Sequence, residues 1–239
     1  MLIKYNYWFC LLLLLIISCS EKIQDKNNFV IYQVNPKNQT IRFYWKNNKN
    51  EILKSINNLK NDIESRNEKL IFTTNGGMFE PDNTPKGLYI ENFKTIKPLD
   101  TLQGSGNFYL QPNGVFYIKQ NNQAGITETK KYRTDTNIQY ATQSGPMLLM
   151  DGKINPIFQK ESKNLNIRNG VGILESGDIV LVMSKKELNF YSFAQLFKEM
   201  DCKNALYLDG YVSRTYLPEK NWIQTDGNFG VMIGVTESK

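Results

Sequence analysis

Three glycine-containing segments hold the residue types that could do chemistry. Thr74-Asn75-Gly76-Gly77-Met78-Phe79 follows an apolar run, and two adjacent glycines there let backbone N–H groups approach a ligand closely. Gln143-Ser144-Gly145-Pro146-Met147 is followed by Ile167-Arg168-Asn169-Gly170-Val171-Gly172, where Arg168 offers a planar fork suited to a phosphate or carboxylate. Tyr207-Leu208-Asp209-Gly210-Tyr211-Val212-Ser213-Arg214 ends a short buried-strand pattern in a carboxylate, a place from which a loop residue can act on a ligand. Each segment also has a plain reading. Gly-Gly and Asp-Gly are common turn dipeptides, and an arginine is usually a solvated surface group. From residue types alone the chain presents a glycine-lined polar cleft containing Asp and Arg.

The chemistry available to that cleft is narrowed by what is missing. The 239 residues include no histidine. Ser-His-Asp and Cys-His nucleophilic sites need an imidazole base and are excluded, as are histidine-ligated zinc and iron sites. Acid–base work falls to Asp, Glu, Lys, Tyr or bound water. The net charge of +6 comes from 29 Lys+Arg against 23 Asp+Glu. The basic residues are scattered singly or in pairs, such as Lys130–Lys131 and Lys185–Lys186, without the clustered stripe that marks a nucleic-acid surface.

The elements that must position these loops are mostly strands. Residues 29–34 and 40–45 read as strands split by Asn35-Pro36-Lys37-Asn38. Within 50–66, Ile52, Ile56, Leu59 and Ile63 lie on one helix face. Residues 70–74 form an apolar strand, 86–91 another, and 107–119 read as a hairpin turning at Pro112-Asn113-Gly114. Strands at 138–143 and 147–150 flank Ser144-Gly145-Pro146, and strands at 171–174 and 179–184 flank Ser176-Gly177-Asp178. Phe193, Leu196, Phe197 and Met200 mark a second helix with Ser192 as N-cap, followed by strands at 205–208 and 229–235. The pattern predicts an α+β fold, a single domain built on mixed or antiparallel sheets with a few flanking helices, without βαβ repetition.

The N-terminus reads as a processing signal. Lys4 precedes the apolar stretch 8–17, about half the roughly 20 residues a membrane span needs. It ends in Ile16-Ile17-Ser18-Cys19, which looks like a bacterial lipobox with Cys19 as the lipidated thiol; an ordinary signal peptide with a coincidental cysteine is the alternative. The expected organisation is a lipoprotein signal peptide over 1–18, the lipidated Cys19 and a polar tether over 19–28, and one folded domain over 29–239. Cys10 leaves with the signal, so Cys202 has no intramolecular partner.

The order Asn75-Gly76-Gly77-Met78-Phe79, Pro85-Lys86-Gly87-Leu88-Tyr89-Ile90-Glu91, Gln143-Ser144-Gly145-Pro146-Met147-Leu148-Leu149, Ile167-Arg168-Asn169-Gly170-Val171-Gly172 and Leu208-Asp209-Gly210 resembles the phosphodiester glycosidase family. That family includes the uncovering enzyme that removes N-acetylglucosamine from phosphomannose, and many bacterial secreted relatives. The uncovering-enzyme branch has a Gly/Ser-rich run after the Asp; here Tyr211 and Val212 stand in its place, and Arg214 adds an anion contact. The resemblance implies hydrolysis of a sugar-1-phosphodiester at the anomeric carbon, with Asp209 as nucleophile, base or oxocarbenium stabiliser and Glu80 as a second carboxyl. Asn75, Gly76, Gly77, Gln143, Ser144, Arg168, Ser213 and Arg214 are the expected substrate contacts. No cofactor is expected and no motif demands a metal; a carboxylate-bound Ca²⁺ or Mg²⁺ stays open. The expected partners are a glycan phosphodiester and, through Cys19, the membrane of a bacterial cell envelope, with the domain periplasmic or surface-exposed. A non-catalytic glycan- or phosphate-binding lipoprotein on the same fold is the second reading, and a structural envelope lipoprotein whose glycine motifs are only turns is the third.

Overall fold

The computed structural model describes residues 25–209 and 212–238; the expected signal peptide, Cys19 and Gly210-Tyr211 lie outside the described residues. Strands β1 (Phe29–Val34) and β2 (Thr40–Tyr44) lead to helix α1 (Ile56–Ser65), then to β3 (Glu68–Asn75), β4 (Tyr89–Glu91), β5 (Lys94–Lys97), β6 (Gly114–Lys119), β7 (Ala124–Glu128) and β8 (Ile138–Ser144). The second half runs β9 (Met147–Met150), β10 (Lys153–Ile154), β11 (Asn169–Leu174), β12 (Ile179–Ser184), helix α2 (Phe190–Glu199), β13 (Cys202–Asp209), β14 (Thr215–Leu217), β15 (Trp222–Ile223) and β16 (Met232–Ser238).

The strands form three sheets. The first has the order β1-β12-β11-β13-β9-β10, the second β15-β14-β3-β16-β2, and the third β5-β4-β8-β6-β7. All three turn apolar faces into one core: Val171, Leu181 and Leu206 from the first sheet, Phe43, Phe72 and Ile233 from the second, Tyr89, Phe116 and Tyr140 from the third. Alternation along each strand leaves the opposite faces to be covered. Helix α2 covers the first sheet with Phe193, Leu196 and Phe197 against Val180 and Tyr207. Helix α1 covers the second with Ile56, Leu59 and Ile63 against Leu70 and Met232.

Every strand pairing in the described residues is antiparallel, and the α-helices there number two, so the domain is more sheet-dominated than a mixed-sheet α+β reading implies. Three local expectations change. Helix α1 starts at Ile56 rather than Asn50, because Ile52 bridges to Lys46 and Lys54 takes a left-handed φ of 62°, which breaks the helix before Ser55 caps it through Asn58 N–H. Helix α2 is capped by Asn189, whose Oδ1 accepts from Ser192 N–H at 2.9 Å; Ser192 lies inside the helix. The segment 107–113 is not a hairpin arm. Asn113 donates to Phe108 O at 3.1 Å and accepts from Thr129 N–H at 2.9 Å, which ties it across two loops, and the hairpin partner of β6 is β7. Strands β8 and β9 likewise part at Ser144-Gly145-Pro146 and enter different sheets.

Candidate active site

Antiparallel pairing brings the start of β11 to the C-terminal ends of β13 and β12, and places the C-terminal end of β3 across the seam between the first two sheets. Asn169 opposes Asp209 and Gly170 opposes Tyr207, so β13 carries an extra residue, Leu208, in a bulge. Bulges bend a strand and re-aim its side chains; this one sits immediately before the carboxylate. Gly170 and Gly172 serve packing here rather than ligand approach. A Cβ on Gly170 would stand 2.9 Å from Leu206 O, and one on Gly172 would stand 2.7 Å from Cys202 Sγ.

The wholly buried Asn169 amide stitches the seam. Its Nδ2 donates to Asn75 O at 2.7 Å, to Thr74 Oγ1 at 3.1 Å and to Asn75 Oδ1 at 3.2 Å. Its Oδ1 accepts from Asp209 N–H at 2.9 Å. Ser213 Oγ donates to Asp209 O at 2.8 Å, and Arg214 N–H donates to Asn75 Oδ1 at 3.0 Å. One network thus holds the carboxylate-bearing strand end, the Asn75-Gly76-Gly77 loop and the 213–214 segment. Asn75 Oδ1 is taken by two donors, which fixes its amide orientation and leaves the buried Nδ2 without a protein acceptor.

Arg168 lies beside this network but is no surface fork. It is wholly buried, with its guanidinium 3.7 Å from the Phe190 ring centroid and 5.4 Å from that of Tyr207. Nε donates to Leu188 O at 2.8 Å, and Nη2 donates to Asn164 O at 2.8 Å and to Asn164 Oδ1 at 3.0 Å. Burial pulls its pKa below the usual arginine value, against the Tyr207 hydroxyl, which raises it. Nη1 is buried with no hydrogen bond of good geometry inside the protein. Tyr207 is pushed well above an ordinary phenol by burial; Arg168 opposes the shift, Asp209 reinforces it, and the Asn107 side chain reaches the same hydroxyl. Arg168 and Asp209 therefore both act on one phenol, Tyr207.

Other expected contacts are placed differently. Gly76 N–H donates to Val231 O at 2.8 Å, so it closes a sheet edge rather than cradling a ligand. Gly77 packs its Cα against Thr142, where a Cβ would stand 2.6 Å from Oγ1. Gln143 is a loop clamp: Oε1 accepts from Leu88 N–H and Asp100 N–H, both at 2.9 Å, while Nε2 donates to Asp100 O at 2.7 Å. Ser144 Oγ donates to Leu208 O at 2.8 Å behind the bulge. Both are wholly buried and engaged within the protein. Glu80 sits on the 80–84 turn, half-exposed and 3.6 Å from Lys86 Nζ, outside the Asn75–Asn169–Asp209 network. The Arg214 guanidinium is paired with Asp226 at 2.9 and 3.0 Å at the surface. Asn169, Tyr207 and Asn107 were not singled out from residue type. Tyr207 lies two positions before Asp209 on β13, and that short separation is the sequence signal that ties it to the carboxylate. No group of three or more Cys, Asp or Glu side chains suited to a metal gathers among the described residues, and no helix there is long and apolar enough to cross a membrane.

The chain that carries this network belongs to the phosphodiester glycosidase family, whose pattern residues 68–236 match. It is similar to the uncharacterized protein YigE of Escherichia coli (strain K12), with 37% identity over 187 residues that cover 78% of this chain and 73% of YigE. The fold is similar to the catalytic domain of zebrafish N-acetylglucosamine-1-phosphodiester alpha-N-acetylglucosaminidase auto-inhibited by its pro-peptide. That match has a TM-score of 0.63 at 14% identity over 88% of this chain and 82% of the zebrafish one.

Proposed function

We propose that the protein is a lipid-anchored envelope hydrolase that cleaves a sugar-1-phosphodiester at the anomeric C–O bond. The observation that supports this reading is the seam network, in which Asn169 joins Asp209 N–H to Asn75 O, in a chain of the phosphodiester glycosidase family. The reaction suits a site without histidine. The leaving group is a phosphomonoester, whose second pKa is about 6, so it departs without a strong general acid. What the transition state needs is a carboxylate near the positive anomeric carbon and donors on the phosphoryl oxygens. Asp209 supplies the first. Asn75 Nδ2, buried with no acceptor inside the protein, and Arg168 Nη1, which makes no hydrogen bond of good geometry, are the donors proposed for the second. The sugar C1–O bond breaks, the oxygen leaves on phosphate, and water adds to C1. Cys19 is the proposed acylation site, and Cys19→Ala should release the chain from the membrane fraction.

The test is hydrolysis of an α-sugar-1-phosphodiester in ¹⁸O-water. Label in the free sugar, with an unlabelled phosphomonoester, is the expected result. Label in the phosphate would mean P–O cleavage and would overturn the glycosidase reading. Tight binding of the diester without turnover would assign the domain to glycan-phosphate binding instead.

A further inference from the structure

We propose that the face formed by residues 157–166 and 185–188 docks on an anionic membrane surface, beside the point where the N-terminal tether joins the fold. These two segments are paired: Asn166 and Leu188 exchange backbone hydrogen bonds at 3.0 and 3.2 Å, and Asn189 Nδ2 donates to Lys160 O at 2.8 Å. They are also the segments that grip the Arg168 guanidinium, through Asn164 and Leu188.

Their outer side is amphipathic. Ile157 and Leu165 are each 47% exposed, among the largest apolar exposures of the described chain. Lys160, Lys163, Lys185 and Lys186 are exposed on the same two segments, against Glu161 and Glu187, leaving the segments net positive; Lys160 Nζ lies over the Tyr191 ring and Lys185 Nζ over the Trp222 ring. Exposed aliphatic side chains on segments rich in lysine are the composition that sits at a lipid headgroup boundary and draws anionic lipid. A soluble partner would leave the next feature without a role. Phe29 opposes Ser184, Asn28 O accepts from Lys185 N–H at 2.8 Å, and Ser184 Oγ in turn accepts from Arg168 N–H at 2.9 Å. The chain therefore enters the domain at this end of the first sheet. From Cys19, the nine residues 20–28 reach at most roughly 30 Å even fully extended. An anchor there holds this end of the domain, with Arg168 directly behind it, within about a domain's width of the bilayer. This orientation rests on the acylation proposed above; the charge and apolar exposure do not.

The experiment uses residues 25–239, which contain every strand of the three sheets and lack Cys19. Binding is measured by co-sedimentation with vesicles of neutral phosphatidylcholine and with vesicles containing about one-third phosphatidylglycerol. The fragment should bind the anionic vesicles, bind the neutral ones weakly, and lose binding as salt shortens the screening length. Lys163→Glu with Lys186→Glu should lower binding on the order of tenfold or more, and Ile157→Ser with Leu165→Ser should weaken the part that survives high salt. Thermal melts and turnover of a water-soluble diester show that each variant is folded; for a variant that melts early, the milder Lys163→Gln with Lys186→Gln is read in its place. Failure of the fragment to bind anionic vesicles, or equal binding by folded wild type and charge-reversed protein, overturns the docking face. Vesicle binding without diester turnover would count against the active-site reading alone.

Discussion

Removing the Asn169 side chain should loosen two sheets at once. In Asn169→Ala, Asp209 N–H loses its acceptor at 2.9 Å and Asn75 O loses its donor at 2.7 Å, both beside a residue with no solvent exposure. A buried polar group left unsatisfied costs about 1–3 kcal/mol, so the pair costs roughly 2–6 kcal/mol. Against a typical total of about 5–15 kcal/mol, that is a large share. At roughly 2–4 °C per kcal/mol for a domain of this size, Tm should fall by about 4–24 °C, toward the lower end if water fills the vacated space. Asn169→Asp separates the two halves of the role. It keeps the acceptor for Asp209 N–H, loses the donor to Asn75, and sets a second carboxylate beside the first. Differential scanning calorimetry of both variants, with diester turnover at a temperature where each is folded, reads stability and positioning separately. A Tm for Asn169→Ala within about 2 °C of wild type would refute the claim that this amide holds the strand ends together.

Three further outcomes are expected. Gly170→Ala places a methyl 2.9 Å from Leu206 O and 3.1 Å from the Phe193 ring; urea denaturation should show a loss of roughly 1–3 kcal/mol, the usual cost of overpacking, and an unchanged midpoint would mean the β11–β13 contact yields freely. Arg168→Lys keeps the charge but not the fork that serves Asn164 and Leu188, so Tm and turnover should both drop, turnover less than for loss of Asp209; unaltered Tm would mean the fork is not structural. Burial raises the Glu91 pKa, opposed by a hydrogen bond from Tyr89 OH at 2.8 Å. The native state therefore holds this proton more tightly than the unfolded chain, and its contribution is lost as pH rises from the ordinary carboxylate value through the raised one. Glu91→Gln should melt higher than wild type above that window and converge with it below; a gap that widened toward acid would reverse the sign.

Much of the strand pattern was legible because apolar runs bounded by Asn, Gly and Pro report burial directly, as in 29–34, 138–143 and 179–184. The 3-4 spacing of Ile56, Leu59 and Ile63 reported one helix face in the same way, while Ile52, four positions earlier, fitted the pattern but lies before the helix. Which strands become neighbours was not legible, since β8 and β9 are separated by two residues yet enter different sheets. The site was legible by residue type and not by environment. Arg168 stood out as an anion fork, but a wholly buried arginine is uncommon, and nothing local announces the Asn164 and Leu188 carbonyls that make it possible. Asn169 was hidden for the opposite reason. An asparagine beside glycine reads as a turn, and its partners Asn75 and Asp209 lie 94 and 40 positions away. Gln143 and Ser144 were expected as sugar contacts from the family resemblance; here both are buried and satisfy loop and strand backbone.

The most direct test of the account is the turnover of Asp209→Asn on an α-sugar-1-phosphodiester, measured beside its melting curve. An amide in place of the carboxylate cannot act as nucleophile or base, nor oppose positive charge at the anomeric carbon. The backbone N–H that Asn169 holds is untouched by the change. Turnover should fall on the order of 10²–10⁴-fold with Tm close to wild type. Wild-type rates in a folded Asp209→Asn protein would contradict the assignment of this carboxylate to the reaction.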